Sequence, residues 1–344
     1  MAPLRTDVLV IGGGPAGLAT AIASRLKGFD VTVADAARPP IDKACGEGIL
    51  PAGVAVLHRL GVRPSDDDAL PLRGIRFVDG GASVEARFQF GPGLALRRTR
   101  LHQILASRAS ELGVRLLWGT RLDDGSKLPS CRWLVGADGQ NSCVRHAAGL
   151  DRASWEFLRF GFRRHYRLSP WTDFVEVHWG PRCQIYVTPV SPDEIGVALL
   201  SRHSHLRLDS ALEEFPELQK RLQGAEASSA ERGAVTVSRR LRRVFRGRTV
   251  LVGDASGSVD AIAGEGLSLS FHHAIALSDA LCSGQLASYQ AEHSRLARRP
   301  AFVAGMLLSL DRVPWLRRSV LRILSLDPPI FGKLLTTLAA DERG

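Results

Sequence analysis

Residues 7–11 (DVLVI) form a short apolar run that stops at Gly12-Gly13-Gly14-Pro15. Apolar positions then recur at helical spacing over 18–27, and Gly28 closes them. Residues 31–34 read as a second strand, ending in Asp35. Strand, tight turn, helix and strand in that order predict a parallel βαβ unit. The theme returns twice. Residues 133–139 (WLVGADG) are an apolar strand ending at Asp138-Gly139, preceded by a helix and a strand over 94–120. Residues 249–254 (TVLVGD) end at Gly253-Asp254, and small residues lead from there to a helix start at Gly264-Glu265-Gly266.

Between these segments the pattern changes. Residues 174–180 (FVEVHWG), 184–190 (QIYVTPV) and 194–200 (EIGVALL) are successive strand-like runs separated by Gly/Pro or Ser-Pro-Asp turns, and 73–90 reads the same way. They predict a mainly antiparallel β-sheet inserted into the α/β unit. Past residue 290 the chain turns helical, with an uncharged run over 301–310 and then apolar residues mixed with Arg312, Arg317, Arg318 and Arg322. The predicted organisation is one discontinuous nucleotide-binding domain over 1–72, 98–155 and 241–290. A second domain covers 73–97 and 156–240, and a C-terminal helical region covers 291–344. The C-terminal helices either pack on the body or form a basic amphipathic surface that rests on a membrane or admits an oily substrate.

Composition narrows the class. The chain has 344 residues, 45% of them hydrophobic, enough for a large core and too many for a disordered chain. The five cysteines (Cys45, Cys131, Cys143, Cys183 and Cys282) show neither a CxxC pair nor metal-ligand spacing, so no metal is expected. A sparse, odd count suits a reducing cytoplasm. No signal peptide opens the chain, and the uncharged run over 8–24 is broken by its glycine turn, so no membrane span is expected. The expected location is cytoplasmic, with a membrane-peripheral one as the alternative. Net charge is +10, almost all from arginine, since only five lysines occur. No nucleic-acid partner is expected, because that charge is not gathered with aromatics or a binding motif. An anionic cofactor remains compatible with it.

The glycines point to that cofactor. In Gly12-x-Gly14-Pro15-Ala16-Gly17, one glycine makes the turn, one admits a pyrophosphate and one lets helix and strand pack closely. The helix start adds free N–H groups and about half a unit of positive charge. Asp35 is placed to accept from a ribose diol and would repel a 2′-phosphate, which suits FAD or NAD over NADP. Asp254 is placed for ribityl hydroxyls. Backbone N–H groups of Gly264, Glu265 and Gly266 are placed for the flavin pyrimidine, where a helix dipole would stabilise a reduced, anionic ring.

The three motifs in this order resemble the group A FAD-dependent monooxygenase superfamily, the para-hydroxybenzoate hydroxylase type, to which geranylgeranyl reductases and flavin-dependent halogenases are related. The resemblance spans about residues 5–290. It implies a Rossmann-like FAD-binding domain of the glutathione-reductase type. Arg98-x-x-Leu101 resembles the helix whose arginine approaches the cofactor phosphates, Asp138-Gly139 the motif tied to FAD and NAD(P)H, and Gly253-Asp254 the ribityl motif. There are departures. Ser256-Gly257 stands where the monooxygenases usually have Ala-His, and Ala261 where they have proline. These positions, the residues 264–266 and Lys43-Ala44-Cys45-Gly46-Glu47-Gly48 look more like the geranylgeranyl reductase branch. The halogenase signature WxWxIP is absent.

The resemblance implies that the inserted sheet covers the reacting face of the flavin. Arg163, His165, His178, Gln184 and Tyr186 are then candidates to point inward. Strand alternation puts Gln184 and Tyr186 on one face with Thr188, and Arg163, Gln184 and Tyr186 are the substrate contacts expected. Cys45 and Glu47 are candidate catalytic acids, or simply a small loop residue and a cap. His272-His273 read as packing or surface residues. The six arginines of 239–248 read as a solvated face or as a trap for NAD(P)H phosphate.

The expected function is an NAD(P)H-dependent monooxygenase that hydroxylates or epoxidises a small aromatic or apolar substrate through a flavin C4a-hydroperoxide. The alternatives are a geranylgeranyl reductase-like enzyme reducing a carbon–carbon double bond of a lipid or polyketide, and a flavin-binding partner without turnover. With no second GxGxxG, NADH or NADPH docks transiently, or a partner reductase delivers electrons.

Overall fold

Arg5–Ile11 forms the middle of a parallel sheet because its alternate residues Val8 and Val10 are fully buried, as in strands covered on both faces. Val31–Asp35 and then Arg115–Trp118 lie on one side of it, Ser130–Gly136 and then Thr249–Leu251 on the other. Phe245–Arg246 adds an antiparallel edge. The computed structural model describes residues 5–121 and 129–326. Helices Pro15–Leu26, Arg98–Glu111 and Gly266–Ser283 bury one face of the sheet through Leu18, Ile22, Leu101, Leu105, Phe271 and Leu277. The other face packs through Leu9, Ile11 and Leu251 against Val144 of the short helix Cys143–Ala147, Leu150 and Leu241.

Strand order reverses beside Arg5–Ile11, the place where sheets of this kind bind nucleotides. Main-chain bonds lock the strand tips there. Ala137 N–H donates to Ile11 O at 2.7 Å, Val252 N–H to Gly136 O at 2.9 Å and Gly12 N–H to Ala34 O at 2.8 Å.

The second sheet is built on the long strand Ala153–Arg167. Arg232–Leu241 flanks it on one side, and Glu194–Ser201, Cys183–Ser191 and Phe174–Trp179 follow on the other, all antiparallel. Gly74–Asp79 joins parallel to Phe174–Trp179, and Ala82–Arg87 closes the edge. Its outer face carries Cys183, Ile185 and Val187 against the helices Leu208–Leu212 and Pro216–Leu222. Its inner face reads in rows across the register. One row is Phe77, Val177, Tyr186, Ala198 and Arg163, and the next is Ile75, Val175, Thr188, Gly196 and His165.

Two segments sit differently from the sequence-based division. Gly93–Ala95, placed with the inserted sheet, pairs instead with Gly48–Ile49 and Leu70–Leu72 in a small third sheet. Ala153, placed with the nucleotide unit, already belongs to the long strand of the inserted sheet. Backbone pairing to a distant partner decides both cases, and local composition does not report it.

The C-terminal helices lie on the inserted sheet. Leu286–Arg312 packs Ala304 and Leu307 on Val177, Trp179, Leu200 and Ile262. Pro314–Leu326 covers the edge strand through Leu321 and Leu324 against Val84 and Ala86. Residues 327–344 of the expected helical region lie outside the described residues. Among the described residues no helix is long and apolar enough to cross a membrane. Arg317 anchors the last helix. Its Nε donates to Asp79 at 2.8 Å and its guanidinium lies 5.1 Å from the Trp179 ring centre, with both charges buried. Asp79→Ala leaves that arginine uncompensated. It is expected to lower unfolding stability by about 3 kcal/mol in chemical denaturation and to expose the 314–326 helix to protease first. An unchanged denaturation midpoint would show that the pair does not hold the helix.

Candidate active site

The glycine loop has the geometry its residue types predict. Gly12 has φ +108°, and a Cβ there would stand 2.3 Å from Ala137 O. A Cβ on Gly17 would stand 1.8 Å from Gly12 O, so helix and strand touch there. Around Gly14, by contrast, a Cβ would meet nothing within 4 Å. The loop is closed by its own packing on one side and open on the side that a pyrophosphate would take. Arg98, at the start of its helix, adds a buried Nε without a protein partner. An open glycine cradle beside an unsatisfied guanidinium fits an anionic cofactor.

Asp35 holds this loop. Its Oδ2 accepts from Gly13 N–H at 2.6 Å and its Oδ1 from Ala37 N–H at 2.7 Å. A carboxylate retains further lone pairs for a ribose after these two bonds. Trp118 and His102 pack beneath. A Cβ on Gly13 would meet Trp118 at 2.3 Å, and His102 Nε2 lies 3.0 Å from Gly13 O. Burial lowers the pKa of that imidazole, and Arg98 adds to the effect, so it is neutral and donates to the carbonyl.

Asp138 performs a structural task. It accepts from the Ser142 hydroxyl at 2.5 Å and from Val144 N–H at 3.1 Å, which caps the Cys143–Ala147 helix beside the strand tips. Buried Arg145 on that helix pairs with Asp151 at 2.7 Å and donates to Gln140 O at 2.8 Å and Ala255 O at 3.3 Å. It therefore ties the Asp138 turn to the Gly253–Ser256 turn.

Gly253 takes φ +60° against the Ala16 methyl, which aims the following Asp254 outward. Lys43 pairs with Asp254 Oδ2 at 3.1 Å, and both side chains are partly exposed. Behind the turn, Ser256 Oγ donates to Gly253 O at 2.7 Å and meets His293 Nε2 at 2.9 Å. His293 stacks on buried His273, ring centres 4.0 Å apart, and Tyr289 closes the cluster with its hydroxyl on Leu251 O at 2.8 Å. Neither ring nitrogen of His273 has a partner. Burial lowers the pKa of His293 to about 4 and holds that of His273 well below 6.5. Both are neutral packing groups behind the cofactor turn.

Gly264 adopts φ +67°, and helix Gly266–Ser283 starts directly after Glu265. Open space surrounds both glycines. The Glu265 carboxyl is half-buried. Burial raises its pKa to about 7, and the charge of Arg299 opposes this.

Two loops face each other across the inner sheet face. Tyr186 donates to Ile262 O at 3.3 Å and Thr188 to Gly46 O at 2.9 Å. Neighbouring positions on one strand face thus tether the 261–266 segment and the 45–48 loop. Cys45 is half-buried in this loop, and its Sγ accepts from Glu47 N–H at 3.4 Å.

Glu47, considered above as an acid, is 2% exposed and has φ +59°. Its Oε1 accepts from Arg98 N–H at 2.8 Å and its Oε2 lies 2.5 Å from His165 Nε2. Both oxygens are committed to joining the Arg98 helix to the sheet. Arg163 pairs with Asp42 at 2.5 Å and with His165 Nδ1 at 2.9 Å. Gln184 accepts from Arg159 at 2.5 Å and donates to Asp311 of the C-terminal helix. Arg163, Gln184 and Tyr186 therefore share the inner face but are spent on protein partners. His178 points the other way and packs edge-on against Phe215. The pairs of Glu47 with His165 and of Gln184 with Asp311 join residues far apart in sequence, and nothing local signals them.

The family described as an FAD binding domain matches residues 5–298, and the chain belongs to it. It is an FAD-dependent oxidoreductase with the fold of flavoprotein monooxygenases. A menaquinone reductase of Mycolicibacterium smegmatis is 27% identical over 98% of this chain and 94% of its own length. A 12-dehydrotetracycline 5-monooxygenase/anhydrotetracycline 6-monooxygenase of Streptomyces rimosus is 27% identical over 80% of this chain and 62% of its own. Among solved structures, a flavin-dependent brominase variant superposes with a TM-score of 0.77 at 19% identity, covering 93% of this chain and 94% of that one. At that identity the likeness concerns the fold.

Gly17→Ala should separate helix from loop and weaken FAD retention on the order of a hundredfold, read by flavin titration of the apoprotein. Full flavin content after gel filtration at low FAD would contradict the packing described. Acidification should act through the histidine pair. Their pKa values are depressed in the folded chain, so the unfolded chain binds more protons below pH 6.5. Melting temperature should therefore fall as pH drops from 6.5 toward about 4, and His273→Phe should flatten that slope. The same slope in both proteins would assign it to other groups.

Proposed function

We propose that this oxidoreductase reduces a carbon–carbon double bond in an apolar quinone or polyprenyl substrate. One observation carries the reading. The polar side chains of the inner sheet face are engaged with protein partners, and the residues that stay partly exposed there, Ile75, Phe77, Val175, Tyr186 and Ala198, are mostly apolar, all but Ala198 also packing against the cluster that holds Ala304 and Leu307. A polar aromatic substrate needs free, fixed polar anchors, whereas an oily one needs area. The end-to-end match in length to a menaquinone reductase supports the same reading.

On this reading the Gly12, Gly14, Pro15, Ala16 and Gly17 turn and Arg98 hold the FAD phosphates. Asp35 takes the ribose, Asp138 shapes the strand tips, and Gly253 with Asp254 meets the ribityl chain. When bound and reduced, FAD would supply the hydride, with electrons from NADH, NADPH or a partner reductase. The Gly264 N–H donates to Ala261 O at 3.0 Å, so of the three expected donors the N–H groups of Glu265 and Gly266 would be the ones to meet negative charge on a reduced flavin.

Adding a hydride to one alkene carbon requires a proton at the other. Glu265 suits that task. With a pKa of about 7 it is partly protonated at neutral pH and recharges from water at its partly exposed loop. Half-buried Cys45, in the loop that Thr188 tethers, is the second candidate donor. Glu47 positions the loop, since both of its oxygens are held by protein partners.

A second reading, insertion of one oxygen atom into an apolar substrate, draws on the relative from Streptomyces rimosus. Anaerobic mixing separates the two. The reduced enzyme should be reoxidised by a polyprenyl quinone without oxygen, and Glu265→Gln should slow that step about a hundredfold with flavin content unchanged. Reoxidation that occurs only after oxygen is admitted would overturn the proposal.

A further inference from the structure

Among the described residues nothing covers the outward face of the last described helix. Pro314–Leu326 turns Arg317 and Leu321 inward. Trp315, Arg318, Arg322 and Leu326 recur every three or four positions on the opposite side and form one stripe, with Ile323 beside it. Trp315 is 70% exposed, Ile323 62% and Leu326 85%, unusual values for large apolar side chains. Arg318 is 61% exposed and reaches Asp79 only at 3.8 Å. The helix contains no acidic residue. The preceding helix adds exposed Phe302 and Arg312.

We infer that this face docks the protein on an anionic lipid bilayer. An aromatic ring, aliphatic side chains and arginines on one stripe match an interface that is apolar inside and negative at its surface. Among the described residues no helix is long and apolar enough to span the hydrocarbon, which takes about 20 residues. The docking inferred is along the interface. The net charge of +10 favours the same approach. The buried side of this helical pair packs on the inner sheet face through Ala304 and Leu307, so docking brings the bilayer to the wall proposed to hold an oily substrate. The docking itself does not depend on which reaction follows.

Flotation of the full, FAD-loaded chain with vesicles tests it without turnover. The chain should float with vesicles of phosphatidylcholine plus phosphatidylglycerol, and much less with phosphatidylcholine alone or in high salt. Arg318→Gln with Arg322→Gln should weaken binding about thirtyfold. Trp315→Ser with Ile323→Ser and Leu326→Ser should abolish it, with flavin content and melting temperature unchanged. The inference is overturned if the chain stays unbound on the anionic vesicles or if the variants bind as well as the parent. It is also overturned if sedimentation shows a dimer that the variants dissolve, since a second copy would then own the face.

Discussion

One buried carboxylate joins the two halves of the site. Glu47 is held at φ +59°, where a side chain costs energy, and it is compensated on both oxygens. It accepts from the first N–H of the Arg98 helix and meets His165 of the inserted sheet. His165 in turn meets Ser229 Oγ at 2.8 Å and Arg163, which reaches Asp42. A buried charge left unpaired is strongly unfavourable, so the Arg98 helix and the inserted sheet dock together.

A second polar chain extends this logic to the C-terminus. Asp260 accepts from Ile262 N–H at 3.0 Å and from Ser238 Oγ at 3.2 Å, which fixes the turn that leads into Gly264-Glu265-Gly266. Arg159 stands between Asp260 and Gln184, and Gln184 passes the contact to Asp311. Arg202 completes that end at 2.9 Å. Such satisfied networks hold loops in one arrangement. They also consume the polar side chains that a hydroxylase would offer to its substrate. What stays partly open is apolar wall, two glycine-flanked loops and the half-buried Glu265. The reading as a double-bond reductase rests on that division.

Local pattern carried much of the fold. Glycine spacing, the strand-end acids and the period-two runs located the parallel sheet, the antiparallel sheet and the trailing helices, because each reflects backbone geometry within a few residues. The common face of Gln184, Tyr186 and Thr188 followed from alternation alone. Partners were not legible. Gln184 looks like a substrate contact until Arg159 and Asp311 arrive from other strands and helices. Glu47 looks like an acid until His165 closes on it from 118 positions away. Glu265 showed only as a backbone N–H position at a helix start, because its raised pKa comes from burial. The place of Gly93–Ala95 in the small sheet was hidden for the same reason.

A single turnover under isotopically labelled oxygen tests the central claim most directly. The enzyme, reduced with NADH, NADPH or dithionite, would be mixed with a polyprenyl quinone in labelled oxygen and the product weighed by mass spectrometry. The account predicts, once the ring has been reoxidised to the quinone, a product whose prenyl chain is heavier by two hydrogens and carries no labelled oxygen. A product carrying one labelled oxygen atom would contradict it.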